Sequence, residues 1–82
     1  MRISIINPKD GGSARAYDAD DHALVSFIAT AADRDFGYPV GGDLLTLAAP
    51  SGKKLDRNAT IKTACHEGTV YTVASGGSVA VR

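Results

Sequence analysis

Only one stretch of this 82-residue chain repeats apolar residues at helical spacing over several turns; its other apolar runs are short enough for strands or a single turn. Leu24, Phe27, Ile28 and Ala31 fall at i, i+3, i+4 and i+7, the spacing that lines one helical face. Asp20 or Asp21 suits the start of that helix, because a carboxylate there accepts free backbone N–H groups and complements the positive end of the dipole. Gly37 is placed as a left-handed terminator, and Pro39 blocks continuation. The pattern predicts a helix from His22 to Asp35 with Leu24 in the core.

Short strands surround it. Ile3 and Ile5 alternate with Arg2 and Ser4, the period of a strand with one buried face, so a first strand spans Arg2 to Ile6. Asn7-Pro8-Lys9-Asp10-Gly11-Gly12-Ser13 is dense in turn formers and reads as a hairpin loop. A second strand follows over Ala14 to Asp18, where Ala14 and Ala16 share one face and Arg15 and Tyr17 the other; the pattern leaves its inward face open. Leu44 to Ala48 is a third strand closed by the turn Pro50-Ser51-Gly52-Lys53, and Lys54-Leu55 is long enough only for a very short fourth. Asp56 to Thr60 supplies capping residues for one helical turn that places Ile61 in the core. Val70 to Val73 makes the last strand.

The composition sets limits on this core and on partners. Nineteen large apolar residues and thirteen alanines make the interior thin, and a chain of this size buries only roughly 60% of the surface its unfolded form exposes. The length suits one domain. Nine basic and nine acidic residues cancel, which removes the electrostatic footprint of nucleic-acid binding. One cysteine makes no internal disulfide, and with two histidines it falls short of a four-ligand zinc site. The N-terminal apolar run ends at Asn7-Pro8, too short for a signal peptide or membrane span, so a cytoplasmic protein without membrane contact is expected. Abundant Ala, Gly and Asp with a single Glu hint at a bacterial source.

Two early strands, one amphipathic helix and a later strand set imply an α+β arrangement with the helix laid across one sheet face. If the final strand returns beside the first, the pairing is parallel and the intervening helix supplies the long crossover it needs. That is a β-grasp, with a mixed four- to five-stranded sheet. The chain resembles ubiquitin and the bacterial ubiquitin-like proteins over nearly its whole length. Met1, Ile3 and Ile5 fall where that family's first strand points its core residues. Gly37-Tyr38-Pro39 resembles the segment that ends the family's helix, and Gly52, Leu55, Ile61 and Gly68-Thr69-Val70 resemble its late run of glycine, buried Leu, buried Ile and last strand.

The resemblance implies a ubiquitin-like domain over residues 1–75 and a flexible diglycine tail over residues 76–82. In ubiquitin-like modifiers a C-terminal diglycine is the working end, because a segment without Cβ atoms passes a narrow channel and brings its backbone close to a nucleotide or a cysteine. By that likeness Gly76, Gly77 and Ser78 form the processing and conjugation site, with Gly77 reacting once Ser78 to Arg82 are removed. The implied partners are a processing protease, activating-like and conjugating-like enzymes and target proteins. The chain itself is expected to be a monomer, to need no cofactor or metal and to be no enzyme. Alternatives are a sulfur carrier for cofactor biosynthesis, which normally ends at the diglycine, and a non-covalent interaction module. The chain has three Gly-Gly pairs, and Ser75-Gly76-Gly77-Ser78 also suits a hairpin turn leading to a sixth strand at Val79–Val81. Both edges of the last strand are already occupied in a β-grasp, which favours a tail.

Other residues weigh less. With Val70 and Thr72 inward, Tyr71 and Val73 would form a partner-binding surface on the sheet face away from the helix, with Thr46 as their neighbour. Lys9, Lys53, Lys54 and Lys62 read as solvated surface charge. Cys65-His66-Glu67 contains catalytic residue types, but consecutive residues point apart, so a packing cysteine is expected. Asp18, Asp20 and Asp21 lack the glycine and bidentate glutamate of a calcium loop.

Overall fold

A computed structural model of the chain describes residues 1–7, 13–36 and 44–75. Its elements run β1 (Arg2–Ile6), β2 (Ala14–Asp18), α1 (Val25–Arg34), β3 (Leu45–Ala48), α2 (Ile61–Ala64) and β4 (Val70–Ser75). The strands form one mixed sheet in the order β2-β1-β4-β3. β1 is antiparallel to β2, with Ser4 opposite Ala16, and parallel to β4, with Ile5 opposite Tyr71. β4 is antiparallel to β3, with Leu47 opposite Val73. This is a small α+β fold with a four-stranded sheet, one helix packed across it and the strand order of a β-grasp. Lys54 makes only an isolated bridge to Ala48.

Register decides which side chains form the core. Ile3 and Ile5 on β1, Tyr71 and Val73 on β4, and Leu45 and Leu47 on β3 are all buried beneath α1. Ile61 joins them, and Thr60 caps its short helix by accepting the Thr63 N–H at 3.3 Å. On β2 the two parities separate as Arg15 and Tyr17 on the helix side, with Ala14 and Ala16 on the other. Arg15 lies 4.9 Å over the Phe36 ring, and Tyr17 donates to Asp35 Oδ2 at 3.1 Å. The turn before Lys53 closes as expected: Gly52 adopts φ of +92° and donates to the Ala49 carbonyl. A Cβ would strain that left-handed backbone.

The helix differs from expectation in start, cap and face. It begins at Val25, and it buries Val25, Ala29, Ala32 and Asp33; Leu24 is 42% exposed and Phe27 66%. Ile28 is half-buried and Ala31 exposed. The cause is an antiparallel tie that the sequence pattern does not carry. Leu24 is extended and bridges Thr60, Val25 N–H donates to Ala59 O, and Ser26 N–H donates to Arg57 O. Backbone carbonyls thus satisfy orphan N–H groups of the first turn, and no carboxylate caps it. Asp20 Oδ1 instead accepts the His22 N–H at 2.9 Å. The same ribbon continues through Ile61 N–H to Ala23 O and Lys62 N–H to Asp21 O, which fixes the rotation of the helix. Its inward stripe of small residues then lets the backbone come close to the sheet. The expected stops at Gly37 and Pro39 lie outside the described residues, as does most of the first hairpin loop.

The Met1 ammonium extends the β1–β2 ladder, donating to Ala19 O at 2.7 Å and to Asp21 Oδ1 at 2.9 Å. Its hydrogen bond to Asp21 holds the amine above its ordinary pKa, and the same bond holds the Asp21 carboxyl below its own. The raised amine contributes stability below its unfolded pKa of about 8, lost as pH rises through the folded value. The depressed carboxyl contributes above its unfolded pKa of about 4, lost as pH falls through the folded value. Asp21→Asn should therefore lower the denaturation midpoint chiefly between those limits and flatten both limbs of its pH profile. Ile5→Ala, which empties a fully buried site, should cost about 2–5 kcal/mol in denaturant titration. Leu24→Ala should cost about 1 kcal/mol or less, because its side chain is already largely in water.

Candidate functional site

The residues expected to react, Gly76, Gly77 and Ser78, lie outside the described residues, and so do Val79–Val81. The structure describes the place from which they depart. β4 ends at Ser75, which sits opposite Leu45; β3 pairs with β4 over Thr72–Ser75, and β1 pairs with it on the other side over Val70–Thr72. Lys54 Nζ donates to the Ser75 carbonyl at 2.7 Å. A cation from the turn after β3 thereby holds the last described peptide group before the diglycine. The short return at Lys54-Leu55 after the Gly52 turn, expected as a very short strand, is what brings this surface lysine near the end of β4.

The expected partner-binding surface of Tyr71, Val73 and Thr46 is corrected. Tyr71 and Val73 are buried on the helix side, because they share a face with Ile5 and Leu47 across the ladders. The buried Tyr71 ring keeps its polar tip satisfied: its hydroxyl accepts the His66 N–H at 2.8 Å. Thr46 is also buried, with Oγ1 donating to Leu55 O at 2.8 Å. The outer face of the sheet carries Arg2, Ser4 and Ile6 of β1, Ala14, Ala16 and Asp18 of β2, Val70, Thr72 and Ala74 of β4, and Thr46 and Ala48 of β3. Val70 is 39% exposed there, Ser4, Ile6, Thr72, Ala74 and Ala48 are half-buried, and Arg2, Ala14, Ala16 and Asp18 are exposed, so most of the face is made of small side chains.

One buried polar contact went unread in the sequence. Asn7 Nδ2 donates to Asp33 Oδ1 at 3.4 Å, joining the residue after β1 to the last turn of α1. Asp33 follows Ala29 by four positions, so the corrected helix face carries it inward. The sequence carries that face as the Val25, Ala29 and Ala32 stripe, overlapping the one with the larger side chains.

Cys65 is a free, buried cysteine at the end of α2, whereas His66 and Glu67 beside it are exposed. Burial raises the thiol pKa, opposed in part by its hydrogen bond with Tyr71. A buried thiol with a raised pKa is a poor nucleophile. Among the described residues no group of three or more His, Cys, Asp or Glu is placed to hold a metal ion. Among them, too, no helix is long and apolar enough to cross a membrane.

Iodoacetamide should label Cys65 slowly in the native chain at neutral pH and at the rate of an ordinary thiol in denaturant, with intact mass as the readout. Comparison with protein-family models and with curated proteins gives no match, so the functional reading rests on the chain's own residues.

Proposed function

We propose that the chain is a bacterial ubiquitin-like protein modifier in precursor form, acting in the cytoplasm. A protease hydrolyses the Gly77–Ser78 bond, releasing residues 78–82 and leaving a Gly77 carboxylate. An activating enzyme adenylates that carboxylate with ATP, pyrophosphate leaving. A cysteine thiolate of the enzyme then displaces AMP to form a thioester, and an amine of a target displaces the thiolate. The chain supplies the recognised body and the reacting end, and its partners perform the chemistry.

One observation carries this reading: Gly76-Gly77 begins directly after a strand flanked by β1 over Val70–Thr72 and by β3 over Thr72–Ser75. A strand so flanked supports a continuation that leaves the sheet. The absence of side chains at both glycines suits passage through a narrow enzyme channel. Burial of Tyr71 and Val73 takes the two largest side chains out of the surface on which a purely non-covalent role was expected to rest.

Intact-mass analysis of the chain recovered from its own cells tests the proposal. The expected result is loss of residues 78–82 together with adducts joined through Gly77, both abolished by Gly77→Val. A tail that always stays attached overturns it. A processed end carrying a thiocarboxylate, one oxygen exchanged for sulfur, assigns the chain to sulfur transfer instead. Partner binding undiminished by Gly77→Val, with no adduct, assigns it to non-covalent recognition.

A further inference from the structure

β2 is the edge of the described sheet, and all five of its residues are open to solvent to some degree, four of them exposed. Its hydrogen-bonding phase follows from its partner. Ala19 N–H donates to Met1 O, the Met1 ammonium donates to Ala19 O, and Ile3 lies opposite Tyr17 with Ile5 opposite Arg15. Ser4 N–H donates instead to Thr69 O, toward β4. In an antiparallel ladder these phases alternate, so Tyr17 and Arg15 direct their backbone groups at β1. The backbone N–H and C=O groups of Ala14, Ala16 and Asp18 therefore point outward.

These three residues are spaced evenly about Ala16. We propose that the chain forms a reversible two-fold dimer by pairing β2 antiparallel with β2 of a second copy, centred on Ala16. In that register Ala16 faces its own symmetry mate and Ala14 faces Asp18 of the other copy, so the outward groups of all three residues find partners. The interface is isologous, and the two sheets become one.

Side chains fit the same register. Arg15 falls opposite Tyr17 of the second copy, on the helix side of the sheet, where a guanidinium can lie over the phenol ring. The Tyr17 hydroxyl is already bonded to Asp35, so Arg15 also meets a carboxylate. The opposite face brings only Ala16 to Ala16 and Ala14 to Asp18, with no like charges directly opposed. Proline, lysine and a bulge are missing from Ala14–Asp18, and its two charges, Arg15 and Asp18, are not opposed by like charges in this register. The formal net charge of zero removes long-range repulsion between copies. A second copy is thus complementary to this edge in both hydrogen bonding and charge. This replaces the monomer expected from sequence with a monomer–dimer equilibrium.

Sedimentation equilibrium of the full chain, from about 10 μM to about 1 mM, spans the affinity expected of a small interface. The mass should rise from monomer toward dimer across that range. Amide exchange should slow with concentration at Ala14, Ala16 and Asp18 and stay unchanged at Arg15 and Tyr17. Ala16→Glu places two carboxylates across the axis at an exposed site, and should weaken the dimer by about tenfold or more without changing the thermal melt. Three outcomes each overturn the proposal. The chain could stay monomeric throughout, which leaves the edge to solvent or to an extended peptide of another protein. The concentration-dependent amides could lie outside β2. Ala16→Glu could fold normally and dimerise as well as the parent chain.

Discussion

The parallel pairing of β1 with β4 is the constraint from which the rest of the fold follows. Parallel strands cannot be joined by a tight turn, so the chain between them must cross over, and here it carries β2, α1, β3 and α2 on the way. The pairing also fixes parity. Once Ile5 stands opposite Tyr71, the inward set Ile3, Ile5, Tyr71 and Val73 is determined, and β3 must present Leu45 and Leu47 to join it. A slip of one residue on β4 would bring Val70, Thr72 and Ala74 inward and expose a tyrosine and a valine. The larger apolar volume on the Tyr71 face opposes that slip.

A second constraint governs the helix. The backbone tie between residues 21–26 and 57–62 joins the start of α1 to the start of α2, two segments far apart in sequence. Orphan N–H groups at the head of a helix need acceptors, and here carbonyls of Ala59 and Arg57 provide them in place of a side-chain cap. Because those acceptors are fixed in space, they set the azimuth of the helix as well as its start. The buried stripe is then Val25, Ala29 and Ala32, and Phe27 is left in water. Small inward residues suit the thin core of so short a chain, since they allow the helix axis to approach the sheet.

Strand order was readable from the sequence because the Ile3–Ile5 alternation, the turn at Gly52 and the last apolar run each give a local signal. The helix face was not, since Val25, Phe27, Ile28, Ala29, Ala31 and Ala32 supply two overlapping apolar stripes. Choosing the stripe with the larger side chains ignored the tie to residues 57–60, which no local pattern records. The parity of β4 failed for a related reason: Val70-Tyr71-Thr72-Val73 places a valine on each face, and only the register with β1 decides between them. Lys54 and the Asn7–Asp33 contact are likewise products of tertiary placement. The diglycine was legible as a motif, and the strand preceding it gives that motif its structural context.

The sheet order keeps the two proposed activities apart. A load applied to the chain beyond Ser75 enters the fold through β4, where ladders to β1 and β3 share it, and Lys54 grips the exit point. The β2 edge lies on the far side of β1, two strand spacings or about 10 Å from β4. Pairing two copies there neither covers the outer face around Val70 nor occupies the end of β4. It would place two departing chains on one continuous sheet, separated by both copies of β1 and β2. If, as proposed, each end joins a target, the dimer carries two conjugates on one sheet, so self-association would change the valency of the proposed modifier independently of the reaction at its end.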